Sequence, residues 1–231
     1  MSSLRELHEG PPFVIPNPWD VGSAKVLESL GFPALATTSS GFAFTLGKRD
    51  GEATLDEVVE HVRAVAAAVS IPLSVDLEHG YGPPGVAIRR VAEAGAEGGS
   101  IEDWDRDAER LYDAGEAVDR VGAAVEAAPP GFVVTARAEN HIHGVDDLDD
   151  TIARLRAYEA AGAHCLYAPG LRTTEQIRAV CGAVSKPVNV LLRPGLTVQE
   201  IFAAGAQRVS TGGALTWVAR DALIEAASAL R

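Results

Sequence analysis

The apolar run Leu73-Ser74-Val75 leads into Asp76, a second carboxylate follows two residues on at Glu78, and Gly80-Tyr81-Gly82 then breaks the chain. On an extended backbone, side chains two apart face the same way, so this pair is expected to project together from the C-terminal end of a buried strand. Two anions held side by side repel and desolvate each other unless a cation lies between them. The glycines let the backbone turn sharply and approach whatever binds there. The chemistry these residues suit is that of a divalent metal with a substrate beside it.

Other polar residues follow short apolar runs in the same manner. Asn17-Pro18-Trp19-Asp20 follows one run. Thr38-Ser39-Ser40-Gly41 follows the next, with a long loop carrying Lys48-Arg49-Asp50. Further on come Glu102 and Asp103, then Arg137 and Glu139 with His141 and His143, then Asn189 and Arg193, then Ser210-Thr211-Gly212-Gly213. Each has a structural explanation as well. Asp20 suits a helix N-cap, the Ser-Ser-Gly and Thr-Gly-Gly segments suit turns, and Glu102 with Arg137 could form a buried ion pair. His141 and His143 read as solvated loop histidines. Several carboxylates and one arginine on a common rim would still leave buried charge to neutralise, at several kcal/mol apiece, roughly. A metal-carboxylate site with a cationic anchor accounts for all of them.

The elements that must carry these residues repeat one pattern. Strands are expected at 13–15, 34–37, 72–76, 99–102, 132–137, 164–167, 187–191 and 208–210. Helices are expected at 23–30, 54–69, 85–94, 114–127, 147–161, 174–184, 198–204 and 217–230. Ala-Gly-Ala recurs at 94–96, 161–163 and 204–206, as helix ends feeding short loops do. Strict alternation with apolar strands argues for an α/β fold, a single (β/α)8 TIM-type barrel spanning residues 1–231. A doubly wound open sheet is the alternative, weakened because no G-x-G-x-x-G follows the first strand.

The chain has 231 residues and a net charge of −12, with both signs spread along it and no basic cluster. Phosphate backbones are repelled on average, so nucleic acid is not an expected partner. No apolar run is long enough to span a membrane, and the N-terminus lacks the apolar core of a secretory signal. A cytoplasmic protein is the default. Cys165 and Cys181 have no metal-ligand spacing and read as reduced, buried thiols.

Taken together, Asn17-Pro18-Trp19-Asp20, Ser39-Ser40-Gly41, the Asp76-x-Glu78-x-Gly80-Tyr81-Gly82 run, Ile101-Glu102-Asp103, Ala136-Arg137-x-Glu139 and Asn189 resemble the phosphoenolpyruvate mutase/isocitrate lyase superfamily. The resemblance covers almost the whole chain. It implies a Mg2+-dependent enzyme acting on a C–C or P–C bond of a small 2-oxo or 2-hydroxy acid through an enolate-like intermediate. By it, Asp76 ligates Mg2+, and Asp50, Glu78 and Glu102 hold the metal's waters. Ser39, Ser40 and Gly41 receive the substrate carboxylate, Arg137 its anionic end, and Asn189 another polar group. The resemblance also implies a homo-oligomer, dimer or tetramer. The chain departs from it in places. The lyase branch carries Lys-Lys-Cys-Gly-His after the fourth strand, whereas this chain reads Trp104-Asp105-Arg106-Asp107-Ala108-Glu109-Arg110, with neither cysteine nor lysine. The mutase branch has a histidine where Ala168 stands. A decarboxylase, a phosphonopyruvate hydrolase-type member and a barrel that binds a carboxylate without turnover remain open alternatives.

Overall fold

The structure, a computed structural model, describes residues 2–231. Helix α1 (Leu4–Glu9) precedes β1 (Phe13–Ile15), α2 (Val21–Ser29), β2 (Leu35–Ala36) and two helices, α3 (Ser39–Thr45) and α4 (Leu55–Ala68). Then come β3 (Leu73–Asp76), α5 (Pro84–Glu93) and β4 (Gly98–Glu102), followed by a small hairpin of β5 (Trp104–Asp105) and β6 (Arg110–Leu111). The alternation resumes with α6 (Ala114–Ala127), β7 (Val133–Arg137), α7 (Leu148–Ala160), β8 (Cys165–Tyr167) and α8 (Thr174–Ala183). It ends with β9 (Val188–Leu191), α9 (Val198–Ala203), β10 (Arg208–Ser210) and α10 (Ala214–Ser228).

Eight strands form one sheet in the order β1-β10-β9-β8-β7-β4-β3-β2, every neighbouring pair parallel. At the seam, the Ala36 amide donates to the Pro16 carbonyl at 3.1 Å and the Asn17 side-chain amide donates to the Thr37 carbonyl at 3.0 Å. The barrel expected from the sequence is therefore the observed fold, nearly closed.

Helix phasing and caps explain why these elements form. Val58, Val62 and Val65 recur at helical spacing on α4 and are buried in one cluster with Leu73, Val75, Leu77, Ile88 and Val91. Thr54 caps α4, its hydroxyl accepting from the Glu57 amide while the Glu57 carboxylate accepts from the Thr54 amide. Thr173 with Gln176, and Thr197 with Glu200, repeat the device. Each cap contributes about 1 kcal/mol. Asp20 is indeed an N-cap, for α2.

Three expectations are corrected. Ser39-Ser40-Gly41 is not a turn leading into a long loop but the first turn of α3, whose Phe42 amide donates to the Thr38 carbonyl at 2.9 Å. The chain does not stay extended through Glu78, which has φ 47. Asp76 closes β3, Leu77 turns into the apolar layer, and the left-handed twist at Glu78 brings its carboxylate back toward Asp76. Finally, α10 begins at Ala214, three residues before its expected start, and every residue from Asp221 onward is exposed. No helix is long and apolar enough to cross a membrane among the described residues.

Candidate active site

A cavity of about 190 Å³ opens at the C-terminal ends of the strands, where barrel chemistry collects. Of the expected site residues, Ser39, Ser40, Asp50, Asp76, Arg137 and Asn189 line it. Gly41, Glu78 and Glu102 stand behind the lining. Gly41 has no room for a side chain, since a Cβ would come within 2.5–2.9 Å of Thr216, Thr38 and Trp19. This close packing fixes the first turn of α3 against the barrel mouth. The Ser39 amide donates to Asp76 Oδ2 at 3.2 Å. The Ser40 and Gly41 amides belong to the same first turn, where a helix has no internal acceptors.

Arg137 organises the anions. Its Nη1 donates to Asp76 Oδ1 at 2.8 Å, its Nε to Glu139 Oε1 at 2.8 Å, and its Nη2 lies 3.4 Å from Glu102 Oε2. The register of β4 on β7 sets Glu102 directly beside Arg137. Burial opposes the Arg137 charge, but Glu139, Asp76 and Glu102 together hold its pKa above the usual range. Glu78 is tied on the other side: it accepts from the Tyr81 hydroxyl, and its Oε2 lies 2.7 Å from Arg106 of the hairpin. The loop after the fourth strand is thus pinned across the carboxylate cluster.

Five carboxylates (Asp50, Asp76, Glu78, Glu102 and Glu139) share this region with two guanidiniums, so negative charge is in excess. The titrations reflect it. Burial, reinforced by the Asp76 charge, raises Asp50. Burial raises Glu78 to about 7, with Asp76 and Asp50 adding to the effect against Tyr81 and Arg106. Glu102 and Glu139 are pushed upward as well, by burial first and then by neighbouring carboxylates, against the opposing pull of Arg137.

Asn17 and Asn189 play different parts. Asn17 Oδ1 accepts from the amides of Thr211 and Gly212 at 2.8 and 2.9 Å, so it staples β1 to the loop after β10. Asn189 is 1% exposed, and its amide donates to Ser210 Oγ at 2.9 Å. Of the two histidines expected to be solvated, His143 is exposed and His141 is not. His141 is buried with Nδ1 2.9 Å from Asp146, and His143 stacks on Trp104 with ring centroids 3.5 Å apart. Cys165 is buried and Cys181 half-buried, both free.

Sequence reasoning missed several participants. Tyr167 and Arg208 line the cavity, but Tyr167 ends an apolar run and Arg208 opens a strand, away from the polar residues that follow the other strands. Arg154 and Tyr158 on α7 hold Asp103, at 3.1 and 2.5 Å, and Asp103 in turn accepts from the Glu139 amide at 2.8 Å. The only sequence hint of that support was Arg154 lying four residues after Asp150, to which it bonds at 2.8 Å.

A parallel barrel with carboxylates and arginines converging at its mouth defines a class of enzymes that work on small acids. The sequence matches the phosphoenolpyruvate phosphomutase family over residues 4–231, and the chain belongs to that family. It is 32% identical over 244 aligned positions to an oxaloacetate decarboxylase of Rhodopseudomonas palustris (strain BisB5), covering 99% of this chain and 84% of the relative. A provisionally assigned lyase/mutase from Burkholderia cenocepacia J2315 superposes with a TM-score of 0.93 at 47% identity, covering 97% of this chain and 85% of the other. A phosphonopyruvate hydrolase in complex with oxalate and Mg2+ superposes with a TM-score of 0.90 at 26% identity, covering 99% and 85%. The resemblance read from the motifs is confirmed, and the chain is an enzyme of the lyase and mutase kind.

Proposed function

We propose that this protein is a Mg2+-dependent carbon–carbon lyase that decarboxylates a small 2-oxo acid bearing a second carboxylate at C4. The observation that carries the reading is the cavity lining, which combines Asp76, Asp50 and Arg137 with no lysine, cysteine or histidine. Cleaving a 2-hydroxy acid would ask Asp50 or Tyr167 to act as base for the hydroxyl proton, and phosphoryl transfer would ask Ser39 or Ser40 to act as nucleophile. Loss of CO2 from a 2-oxo acid needs neither, only stabilisation of the electron pair left behind. The similarity to an oxaloacetate decarboxylase supports the same choice.

The residues suit Mg2+. Their excess of buried carboxylate oxygen calls for a hard divalent cation. No three His, Cys, Asp or Glu side chains converge as a direct ligand set among the described residues. That agrees with an ion that takes one or two carboxylates and otherwise keeps waters. Asp76 would hold it directly, with Asp50, Glu78 and Glu102 holding its waters. When bound, Mg2+ polarises the 2-oxo group and offsets the negative charge that develops there. The chain's own groups then bind and orient: Ser39, Ser40 and Gly41 offer hydroxyl and amide donors to the carboxylate that is retained. Arg137 faces the anionic substrate, and Asn189 adds a neutral contact. The hairpin, held by Arg106 on Glu78, limits water over the mouth.

The reading extends to the whole chain as one barrel domain in a cytoplasmic homo-oligomer. Val218, Leu223, Ile224 and Leu230 on and after α10 are 56–87% exposed, an apolar face that a second subunit would cover. The test of function is a screen with product identification. Oxaloacetate, a malate-type acid and phosphonopyruvate would each be incubated with enzyme, with and without Mg2+. Release of CO2 and pyruvate from oxaloacetate, with Mg2+ only, is the expected result. Selective release of phosphate from phosphonopyruvate would replace this reading with a hydrolase.

A further inference from the structure

The proposed cleavage leaves an electron pair on carbon, and that carbon must gain a proton before the product departs. Among the lining residues, Arg137 stays charged and makes a poor proton donor. Tyr167, at the end of β8, is 8% exposed and lines the cavity. The Arg137 guanidinium lies 5.2 Å from its ring centre. Burial pushes the phenol up to about 12, against the opposing pull of Arg137. Tyr167 therefore enters a cycle near neutral pH with its proton in place.

A run of hydrogen bonds from a buried arginine reaches Ser210, on the cavity wall that Tyr167 also lines. Arg208 is 4% exposed, and unlike Arg137 and Arg154 it meets no carboxylate among the described residues. His8 Nδ1 lies 2.7 Å from the Leu4 carbonyl, so Nδ1 carries the ring hydrogen and Nε2 offers a lone pair. Arg208 Nη1 reaches that Nε2 at 3.1 Å, Nη2 donates to Thr135 Oγ1 at 3.2 Å, and Nε donates to Asn189 Oδ1 at 2.8 Å. Arginine only donates, so the Asn189 oxygen must face it and the Asn189 amide nitrogen must face away. That nitrogen donates to Ser210 Oγ at 2.9 Å. Ser210 lines the cavity as well, and with its oxygen accepting from Asn189 its hydroxyl hydrogen is free to donate to the phenol oxygen. With Ser210 donating, the Tyr167 hydrogen is free for a substrate in the cavity.

We propose that Tyr167 is the proton donor that completes the reaction, and that Arg208 is the positioning residue that aims it through Asn189 and Ser210. The proposal rests on the reading of the cavity as a 2-oxo acid lyase. Cleavage breaks the C3–C4 bond, CO2 leaves, and the pair becomes the C2=C3 bond of an enolate. That pair then takes the Tyr167 proton to form a C3–H bond, the C2 oxygen returns to a carbonyl, and the O–H electrons stay on the phenolate. Ser210 and the Arg137 charge stabilise the phenolate until a solvent proton restores it.

The test reads stereochemistry and exchange in D2O with Mg2+. A 3-methyl-substituted oxaloacetate is the substrate, and the configuration of deuterium at C3 of the product is determined. Exchange of pyruvate methyl protons, which runs the proton transfer in reverse, is followed separately by NMR. Wild type is expected to give one configuration and to exchange pyruvate. Tyr167→Phe should give a near-equal mixture and exchange about 100-fold more slowly, the scale of a lost general acid. Arg208→Met should shift both readouts the same way, with partial return in Arg208→Lys. If Arg208→Met does not fold, Ser210→Ala breaks the same chain one link later. A single configuration retained in Tyr167→Phe overturns the proposal. Wild type that exchanges pyruvate but cleaves no 2-oxo acid removes the lyase reading, and slowed exchange in Tyr167→Phe then keeps Tyr167 only as the group that moves the C3 proton. Wild type that does neither removes both.

Discussion

Glu78→Gln is expected to stabilise the metal-free protein, and to do so only above a certain pH. The Glu78 carboxyl is 2% exposed and rises from 4.5 to about 7, chiefly because burial penalises its charge. The folded state therefore binds this proton more tightly than the unfolded chain. Below about pH 4.5 the group is protonated in both states and costs nothing. As the pH climbs through 7 the folded state must accept a charge it resists, and stability falls. A rise of this size corresponds to about 3 kcal/mol once ionisation is complete. Glutamine removes that cost, and the attraction of Arg106 is already contained in the net rise. The expected gain is about 3 kcal/mol at pH 8 and near zero at pH 4.5. Urea denaturation in EDTA across that range measures it, and added Mg2+ should narrow the gap by compensating the wild-type charge. A variant less stable than wild type by the same amount at both ends of the range would refute the reasoning.

Three further outcomes follow from other parts of the structure. Gly51 has φ +86, and a Cβ there would fall on the Arg106 guanidinium. Gly51→Ala should therefore cost about 1–3 kcal/mol and loosen Arg106 from Glu78, seen as a lower melting temperature and faster proteolysis of the hairpin. Burial pushes His8 from 6.5 down to about 3, with the Arg208 charge adding to it. Its contribution is intact above pH 6.5 and is lost as the pH falls toward 3, about 4–5 kcal/mol in all. His8→Gln, which keeps an acceptor for Arg208, should flatten the acid limb of a stability–pH curve. If the exposed apolar face of α10 joins subunits as proposed, a double change of Leu223 and Ile224 to serine should lower the sedimenting mass in analytical ultracentrifugation with little change in helical content.

The fold was legible because its signals are local. Apolar runs mark the strands, and the Thr54/Glu57 and Asp147 caps mark helix starts to within a residue of where they stand. The hairpin and α3 were hidden for the opposite reason. Trp104–Leu111 is dominated by charges that suit an open loop, and Ser39-Ser40-Gly41 carries turn-forming residues that only packing against Thr216 and Trp19 makes helical. At the site, carboxylates spaced near strand ends were visible, and so was Arg137. The support behind them was not. Arg208, His8 and Thr135 lie far apart in the chain and meet only when the barrel forms. Glu78 joins Asp76 through a left-handed backbone that no period-two pattern describes.

The central claim is that Asp76 anchors a divalent cation on which a small 2-oxo acid sits, and calorimetry on wild type and Asp76→Ala tests it most directly. Mg2+ would be titrated first alone and then in the presence of oxalate, with circular dichroism to verify that both proteins are folded. The account predicts that wild type binds Mg2+ and that Mg2+ strengthens oxalate binding, whereas folded Asp76→Ala shows neither effect. Equal Mg2+ affinity in the two folded proteins would contradict it.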